Sequence, residues 1–326
     1  MKLLETKSLS IGYEVSGSPT KVLQSNINVA INEGEIISLM GQNGVGKTTF
    51  IKTLSGILPS LEGKVYYGDQ PLKQLSKQDL ARRLSIVLTE KPFSQNITVL
   101  ELIAIGRHPY SNWAGMLSKH DKEVIDWAIT ETNTNYMANR KLYELSDGQL
   151  QKVMIARALA QETALIYLDE PAAHLDLYNK IEVMMLLRKI AKNGKGILIS
   201  THDMQVSTQL SDKLWLFNFN EPPKEGTPED LILDGTLERT LYLQGYGYDM
   251  IHGSVDMQIE TKGEVALEGD DEVIFWTKQA LHRHGIKVQE NSLTKIICQK
   301  NHWSVLSGES SISCDSIRDL ISKLPL

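Results

Sequence analysis

Cysteine, long apolar runs and an excess of basic charge are all scarce or missing in this sequence. Its 326 residues include two cysteines, Cys298 and Cys314, which form neither a CxxC pair nor a metal-ligand spacing. We therefore expect reduced thiols in a cytosolic protein rather than a disulfide framework. No apolar run approaches the roughly 18 residues of a membrane-spanning helix, and the N-terminus lacks the basic and apolar regions of a signal peptide. A role at a membrane would therefore need a partner that holds the chain there.

The charge balance argues against one large class of partners. The formal net charge is −6, whereas a general nucleic-acid binder is usually basic, so we expect no nucleic-acid partner. The length and a hydrophobic content of 41% allow two domains, or one large domain, with a sizeable core.

The segment GEIISLMGQNGVGKTTFIKTLSG contains the clearest motif, GxxxxGK[ST], from Gly41 to Thr48. A strand is predicted over 36–40 and a helix over 47–57, which is the context that this motif requires. Backbone N–H groups of the loop would surround the β- and γ-phosphates of a nucleotide, Lys47 would add a catalytic positive charge, and the Thr48 hydroxyl would ligate Mg²⁺. The predicted ATP-binding residues of this loop are Gly41, Asn43, Gly44, Gly46, Lys47, Thr48 and Thr49.

A second apolar run, 164–168, ends in Asp169 and Glu170 within ALIYLDEPAAHLD. Parallel α/β sheets place their ligand chemistry at the carboxyl ends of the strands. We predict that Asp169 holds Mg²⁺ through its waters and that Glu170 is the general base that polarises the attacking water. Two solvated acids after a core strand would be the ordinary alternative, but the P-loop favours the catalytic role.

A third strand is predicted over 197–200 in KGILISTHDMQ, and His202 follows it. A neutral imidazole can donate to a γ-phosphate and accept from a neighbour, so it can sense whether ATP is intact. A lone histidine after a strand is usually without function. Because His202 is expected at the same sheet edge as Asp169, we favour a catalytic role.

The stretch ELSDGQLQKVMIARALA predicts a helix that begins near Ser146, because Ser and Asp are natural N-caps. A helix N-terminus can bind an anion, but Asp147 is itself negative, so the residues alone leave open whose anion would bind. We expect a buried apolar face and two side chains, Lys152 and Arg157, in solvent. The expected buried residues are Val153, Ile155, Ala156, Ala158 and Leu159.

Taken together, LSDGQ, YLDE and STHD resemble the motifs of the ABC ATPase family over roughly residues 1–240. The family signature is LSGGQ, and this chain carries Asp147 at its third position. The resemblance implies an α/β P-loop NTPase fold, with a RecA-like core and a helical subdomain over about 92–158. It also implies a head-to-tail homodimer, in which the signature of one subunit caps the γ-phosphate held by the other. The implied signature residues are Ser146, Asp147, Gly148 and Gln149.

The resemblance assigns two further residues. Tyr13 lies about where the family stacks an aromatic ring on adenine, although a strand tyrosine would look the same. Asp176 matches the loop that contacts the partner's P-loop. His174 occupies a variable position, and we assign it no chemistry.

Two segments, TVLELIAIGRHPY and QPLKQLSKQDLARRLSIV, resemble the ATPase subunits of importers for iron–siderophore, heme and vitamin B12. The implied partners are polytopic permease subunits and, indirectly, a substrate-binding protein, at the cytoplasmic face of the inner membrane. Arg107, His108 and Pro109 would lie near the coupling helices of the permease. Pro109 would also stop a helix there in any protein, and both interpretations can hold.

The sequence departs from the family at the loop that usually carries a glutamine. That position is Thr89, followed by Glu90. The family glutamine ligates Mg²⁺ and links the nucleotide to the permease. We expect Thr48 to remain the only direct protein ligand of the metal, with a water bridging to Thr89.

From about residue 241 the resemblance fades, and the pattern predicts a small α+β module over 241–326. We expect a hairpin over 254–269, a helix that ends at Gly285, three short strands and a final helix. Three histidines in this module invite a metal site, but two flank a helix C-terminus, where a charge role is the simpler interpretation. They are His282, His284 and His302. A regulatory or dimer-stabilising role is our working hypothesis for the module.

Two alternatives to an importer subunit can be weighed. One is a soluble ABC ATPase that is not coupled to transport, but translation factors carry two cassettes and repair ATPases carry a long coiled coil. This chain has one P-loop and no heptads. The other alternative is a non-hydrolysing binding module, which the intact catalytic residues argue against.

Overall fold

The computed structural model describes residues 1–13, 20–89, 96–111, 115–219, 221–241, 246–249, 254–257, 259–308 and 310–324. The chain divides into two compact units, residues 1–242 and 243–326. No helix among the described residues is long and apolar enough to cross a membrane. Glu90 lies outside the described residues.

The first unit contains two sheets. Its strands are β1 (Lys2–Tyr13), β2 (Lys21–Ile27), β3 (Ala30–Asn32), β4 (Ile36–Gly41), β5 (Glu62–Tyr67), β6 (Gln70–Pro71), β7 (Leu84–Val87), β8 (Leu165–Asp169), β9 (Gly196–Ser200), β10 (Lys213–Asn218) and β11 (Glu221–Gly226). One sheet is antiparallel in the order β2-β1-β5-β6, with β3 also paired to β1. The other has the order β11-β10-β4-β9-β8-β7, and all its pairs are parallel except β10 with β11.

Helices connect these strands. They are α1 (Lys47–Leu54), α2 (Lys77–Ala81), α3 (Val99–Ile105), α4 (Lys119–Glu131), α5 (Asp147–Ala160), α6 (Leu177–Lys192), α7 (Met204–Leu210), α8 (Pro228–Leu233) and α9 (Thr236–Leu241). Serine and threonine begin several of them: the hydroxyls of Thr98, Ser118 and Ser146 each accept the N3 amide of their helix. Each of these three N-caps forms a capping box, which satisfies two otherwise free backbone donors.

The parallel sheet is buried on both faces. Along β8, Ile166 and Leu168 pack into one apolar cluster with α3–α6, whereas Leu165 and Tyr167 pack into another with α1 and the antiparallel sheet. Successive strand residues point to opposite faces, so a continuous apolar run is what a strand covered on both sides requires. The polar residues that follow these buried strands therefore lie at the edge of the sheet where the strands end, and not on either of its faces.

The second unit has its own core. Its elements are β12 (Tyr246–Asp249), β13 (Ser254–Met257), β14 (Gly263–Gly269), α10 (Asp271–Arg283), β15 (Ile286–Val288), β16 (Thr294–Gln299), β17 (His302–Ser307), β18 (Ser310–Cys314) and α11 (Ile317–Lys323). The larger sheet has the order β15-β14-β16-β17-β18, while β12 and β13 form a two-stranded sheet within the described residues. Leu281, Ile296, Trp303 and Leu320 belong to one buried cluster. The predicted α+β character of this region is confirmed.

Two local predictions about elements are wrong. The helix expected over 47–57 ends at Leu54, because Gly56 adopts a positive φ of 69° that stops it. The hairpin expected over 254–269 does not form: β13 pairs with β12, and β14 pairs in parallel with β15 and β16. Alternating apolar residues identify a strand but do not specify its neighbour.

Candidate nucleotide site

Four neighbouring strands place the predicted functional residues at one edge of the parallel sheet. Their order is β4-β9-β8-β7, and all three pairs are parallel. The P-loop follows β4, His202 follows β9, the Asp169–Glu170 pair ends β8, and Thr89 follows β7. The structure therefore brings together the residues that four separate motifs supplied.

The P-loop backbone depends on glycine at two positions. Gly41 has a φ of 150°, and a side chain there would collide with the carbonyl of Phe217 on the neighbouring strand. Gly46 has a φ of 113° in the left-handed region and forms the N-cap of α1. Non-glycine residues are strained in such conformations. The loop thus exposes the start of α1, where free N–H groups favour an anion. Asn43, Gly44 and Thr48 are the exposed members of the motif.

Lys47 lies folded against its own loop. Its amine donates to the carbonyls of Gly41 at 2.6 Å and Gln42 at 3.1 Å. Burial lowers the pKa of Lys47, and the Glu170 and Asp169 carboxylates oppose this shift. The positive charge of Lys47 therefore lies close to the Glu170 and Asp169 carboxylates and to the P-loop backbone.

Asp169 is held by two hydroxyls. Tyr167 Oη donates to Oδ1 at 3.1 Å. Thr89 Oγ1 lies 3.2 Å from Oδ2 and 2.9 Å from the backbone oxygen of the same aspartate. Thr89 thus contacts the predicted metal-holding residue directly, while its predicted water-mediated link to Mg²⁺ stays a prediction. The contribution of Tyr167 was missed in the sequence, where it looked like one more core residue.

Glu170 has an unusual backbone and a partly buried carboxylate. Its φ is 47°, a left-handed conformation that is costly for a residue other than glycine. Its amide donates to the Ser200 carbonyl at 2.8 Å, and Thr201 Oγ1 donates to its carboxylate at 3.2 Å. Burial, the largest cause, raises the pKa of Glu170, although the Thr201 hydrogen bond opposes it. A carboxylate with a raised pKa is suited to accept a proton near neutral pH.

His202 lies beside this acid. Its Nε2 is 3.8 Å from Glu170 Oε1, and about half of the side chain is exposed. Burial of the remainder and the charge of Lys47 lower the pKa of His202. This shift favours the neutral imidazole, which can both donate and accept.

The oxygen atoms at this edge suit Mg²⁺. This ion prefers oxygen and is commonly held by one or two carboxylates together with substrate phosphates. Asp169 offers the carboxylate, and Thr48 offers an exposed hydroxyl. In the described part of the chain, no group of three or more His, Cys, Asp or Glu residues is arranged to hold a metal, and this includes the three C-terminal histidines.

Two contacts support the P-loop from the antiparallel sheet. Tyr13, which is 43% exposed, has its hydroxyl next to that of the buried Thr49. Gln24, on β2, donates to the carbonyls of Val45 at 3.2 Å and Asn218 at 2.6 Å. The role of Gln24 has no local signal in the sequence, because its partners lie in the loop and in a strand far along the chain.

The signature residues begin α5. Ser146 and Gln149 form the capping box: the Ser146 hydroxyl accepts from the Gln149 amide at 3.3 Å, and Gln149 Oε1 accepts from the Ser146 amide at 3.1 Å. Gly148 has no room for a side chain, because a Cβ would collide with Asn179 on α6. Asp147 lines a cavity of about 260 Å³ together with Thr89 and Glu170 of the same subunit.

Asp176 forms the N-cap of α6. Its carboxylate accepts from the Asn179 backbone at 2.8 Å and from the Asn179 side chain at 2.9 Å. Asn179 therefore connects the start of α6 with the glycine of the signature. These backbone and side-chain hydrogen bonds lower the pKa of Asp176, so the residue is an anion at neutral pH.

Two arginines differ from expectation. Arg107 is 1% exposed rather than at a surface: its guanidinium contacts Asp121 at 2.7 Å and Glu162 at 2.6 Å. Arg157 is not in solvent, because it donates to the Ile86 carbonyl at 2.6 Å. His108 remains exposed and begins a short 3₁₀ turn with Pro109. Of the three residues expected near a permease, His108 and Pro109 therefore remain candidates for that contact, and the buried Arg107 does not.

Comparison with known families gives two matches. A family described as ABC transporter matches residues 24–173. A family described as the iron ABC transporter C-terminal domain matches residues 262–325. The two matches fall in the first and second compact units respectively.

Two relatives are similar to this chain over 70% or more of its length. An iron(3+)-hydroxamate import ATP-binding protein of Bacillus subtilis (strain 168) is 34% identical over 244 residues, which cover 74% of this chain and 89% of the relative. A petrobactin import ATP-binding protein of Bacillus anthracis is 34% identical over 230 residues, covering 70% of this chain and 84% of the relative.

Two solved structures of ABC proteins have folds similar to that of this chain. A structure assigned to an inward-facing ABC transporter of the metal-chelate type has a TM-score of 0.64 and 27% identity, covering 74% of this chain and 89% of that one. A dimeric ATP-binding cassette in a post-hydrolysis state with ADP and Pi has a TM-score of 0.60 and 26% identity, covering 69% of this chain and 99% of that one.

Proposed function

Because the chain belongs to the ABC transporter ATP-binding family, and is accordingly an ATPase of that type, we propose that it powers an importer of iron chelates. The match of residues 262–325 to an iron ABC transporter C-terminal domain is the observation that carries this proposal. The names of the siderophore-importing relatives support the same cargo class. Heme and cobalamin importers share the sequence features and are separated by the transport test below.

The proposed chemistry follows from the sheet edge. The P-loop amides and Lys47 bind the β- and γ-phosphates, while Thr48 and Asp169 would hold Mg²⁺. When bound, the metal supplies positive charge that offsets the charge on the phosphates. Glu170 accepts a proton from the attacking water, and His202 donates to the γ-phosphate.

The proposed working unit is a homodimer. Ser146 and Gly148 of one subunit would contact the γ-phosphate bound by the other, and Asp176 would contact the partner's P-loop. Tyr13 would stack on adenine, for which its exposed ring is available. The positive charge of the partner's P-loop lysine would offset Asp147 in such an arrangement. ATP then closes the dimer, and hydrolysis reopens it.

The proposed partners are two polytopic permease subunits and, through them, a substrate-binding protein. The subunit would lie peripherally at the cytoplasmic face of the inner membrane. His108 and Pro109 remain the proposed contact near the permease, since they stay at the surface beside the buried Arg107. Residues 241–326 are proposed to regulate or stabilise the dimer.

The test is purification from membranes followed by transport. We expect a polytopic membrane protein to co-purify with the tagged chain, and reconstituted vesicles to take up a radiolabelled hydroxamate siderophore when ATP is supplied. The matched control is Glu170→Gln, which should keep the complex and abolish uptake. Uptake of cobalamin or heme instead would overturn the siderophore assignment. An active ATPase with no membrane partner would favour the soluble alternative.

A further inference from the structure

We propose that Thr89 and Tyr167 are positioning residues that hold the two oxygens of the Asp169 carboxylate in place for the metal site. Thr89 stands at the position where the ABC ATPase family usually carries a glutamine that ligates the metal. The inference rests on the proposed role of Asp169 in holding Mg²⁺.

The two hydroxyls reach different oxygens. Tyr167 Oη is 3.1 Å from Oδ1, and Thr89 Oγ1 is 3.2 Å from Oδ2. A carboxylate can only accept, so each hydroxyl is the donor. The single proton of Thr89 is shared between Oδ2 and the backbone oxygen of Asp169, which lies 2.9 Å away. Bonds to an ionised group are among the stronger hydrogen bonds in proteins.

The backbone dictates this arrangement. Tyr167 and Asp169 are two residues apart on β8, so their side chains share one face of the sheet. Val87 pairs with Leu168 in the parallel ladder, which places Thr89 beside the end of β8. Tyr167 is 3% exposed and packs in the core beneath the P-loop. One hydroxyl therefore approaches from the core and the other from the neighbouring loop.

The arrangement has a specific consequence. Outer partners of a metal ligand orient it, and their loss usually weakens metal binding about 10- to 100-fold. Among the described residues, neither hydroxyl forms a hydrogen bond with Glu170 or Lys47, so the chemical step should be spared. Loss of either hydroxyl should raise the requirement for metal and leave turnover at saturating metal unchanged.

The experiment uses the full chain with Mn²⁺ and ADP. Binding of Mn²⁺ to the ADP complex is followed by electron paramagnetic resonance in wild type, Tyr167→Phe and Thr89→Val. We expect each variant to bind Mn²⁺ about tenfold more weakly. The Mg²⁺ concentration for half-maximal ATPase activity should rise in parallel, with kcat at saturating Mg²⁺ within about twofold of wild type. Thr89→Ser, which keeps the hydroxyl, should restore wild-type binding.

Two matched controls remove a hydroxyl elsewhere. Tyr67→Phe deletes a buried phenol that donates to the Leu54 carbonyl at 2.9 Å in the same core. Thr132→Val deletes a buried hydroxyl that donates to the Ala128 carbonyl at 2.8 Å. Both should bind Mn²⁺ as wild type does, and urea unfolding of all variants separates lost stability from lost metal affinity.

Asp169→Asn distinguishes the two ways of failing. If Asp169→Asn weakens Mn²⁺ binding but the two hydroxyl variants do not, the positioning role is wrong and the proposed metal role of Asp169 stands. If Asp169→Asn itself has no effect, the assignment of Asp169 is wrong, and the positioning role fails with it. A fall in kcat with unchanged metal affinity would also overturn the proposal.

Discussion

Among single residues, Glu170 combines a strained backbone with a defined set of neighbours. Its positive φ is maintained by the bond from its amide to Ser200, and the Thr201 hydroxyl donates to its carboxylate. Such strain persists only where the surroundings fix it, and it is concentrated at functional sites. The geometry thus favours Glu170 over Asp169 as the residue that meets the attacking water.

Replacement of Glu170 by Gln should therefore trap an ATP-bound dimer. Gln keeps the shape but cannot accept the proton, so we expect ATPase activity to fall about 10²- to 10⁴-fold. With Mg-ATP, the variant should elute as a dimer in size-exclusion chromatography. Glu123→Gln, at an exposed position on α4, is the matched control and should behave as wild type. A monomeric variant that hydrolyses ATP at the native rate would show that Glu170 is not the base.

Thr89 gives a second prediction at this scale. Thr89→Gln should keep or raise ATPase activity at saturating Mg²⁺, since it returns the side chain usual in the family. Thr89→Ala should keep ATPase activity at saturating Mg²⁺ within about twofold of wild type, because the lost hydroxyl contacts Asp169 rather than Glu170 or Lys47. Steady-state ATPase assays at saturating Mg²⁺ measure both. A loss in Thr89→Ala as large as that in Glu170→Gln would contradict this.

Sequence motifs located the residues proposed to carry the chemistry but not those that contact and support them. Lys47, Asp169 and His202 follow apolar strands, and that pattern alone placed them at one edge. Tyr167 and Gln24 act through partners that depend on which strands become neighbours. Their sequence context is that of ordinary core residues, so only the tertiary structure identifies them.

Among the elements, the junction of α3, α4 and α5 depends on one buried arginine. Arg107 contacts Asp121 near the start of α4, and it also donates to the Ala160 carbonyl at 2.8 Å at the end of α5. Hydrogen bonds from Ser118 and Arg107 lower the pKa of Asp121 to about 2. The carboxylate is therefore charged wherever the protein is folded near neutral pH.

Asp121→Asn should destabilise the first unit by about 3 kcal/mol, because it takes from the buried Arg107 the more deeply buried of its two carboxylate partners. The folded-state pKa of Asp121 is depressed, so its contribution is complete above its ordinary pKa and is lost as the pH falls toward 2. Urea unfolding should therefore give the same difference at pH 7 and pH 5 and a smaller one below about pH 4.

The matched control is Asp126→Asn on the same helix, where the carboxylate is exposed. It should change stability by less than about 0.5 kcal/mol. If both variants unfold alike, or if the difference for Asp121→Asn grows as the pH falls, the ion pair is not what stabilises this junction.

Elements were easier to predict than their pairing. The capping residues of α5 and the apolar runs of β4, β8 and β9 are local signals, and these elements form near the predicted positions. The strand Ser310–Cys314 has no such signal, because four of its five residues are serine or cysteine and its one large apolar residue is exposed. Its partner β17 supplies the backbone hydrogen bonds that make it a strand.

At the scale of the whole molecule, the chain contains two units with separate cores. Every predicted nucleotide-binding residue lies in residues 1–242, and so do all the described residues of the two buried clusters of that unit. The core around Trp303 belongs to the second unit alone. A unit with its own core can fold without the rest of the chain.

Truncation after Tyr242 should therefore leave a folded unit that binds ATP within about threefold of the full chain, a difference below 1 kcal/mol. Fluorescent ATP titration and urea unfolding measure this, and ATPase activity reports any regulatory effect of the tail. The matched control is truncation after Asp234, which also removes α9, where Leu237 is fully buried. That shorter chain should be destabilised, because a buried leucine is lost from the first unit. If the chain ending at Tyr242 fails to bind ATP, the C-terminal residues belong to the nucleotide-binding fold rather than to an added module.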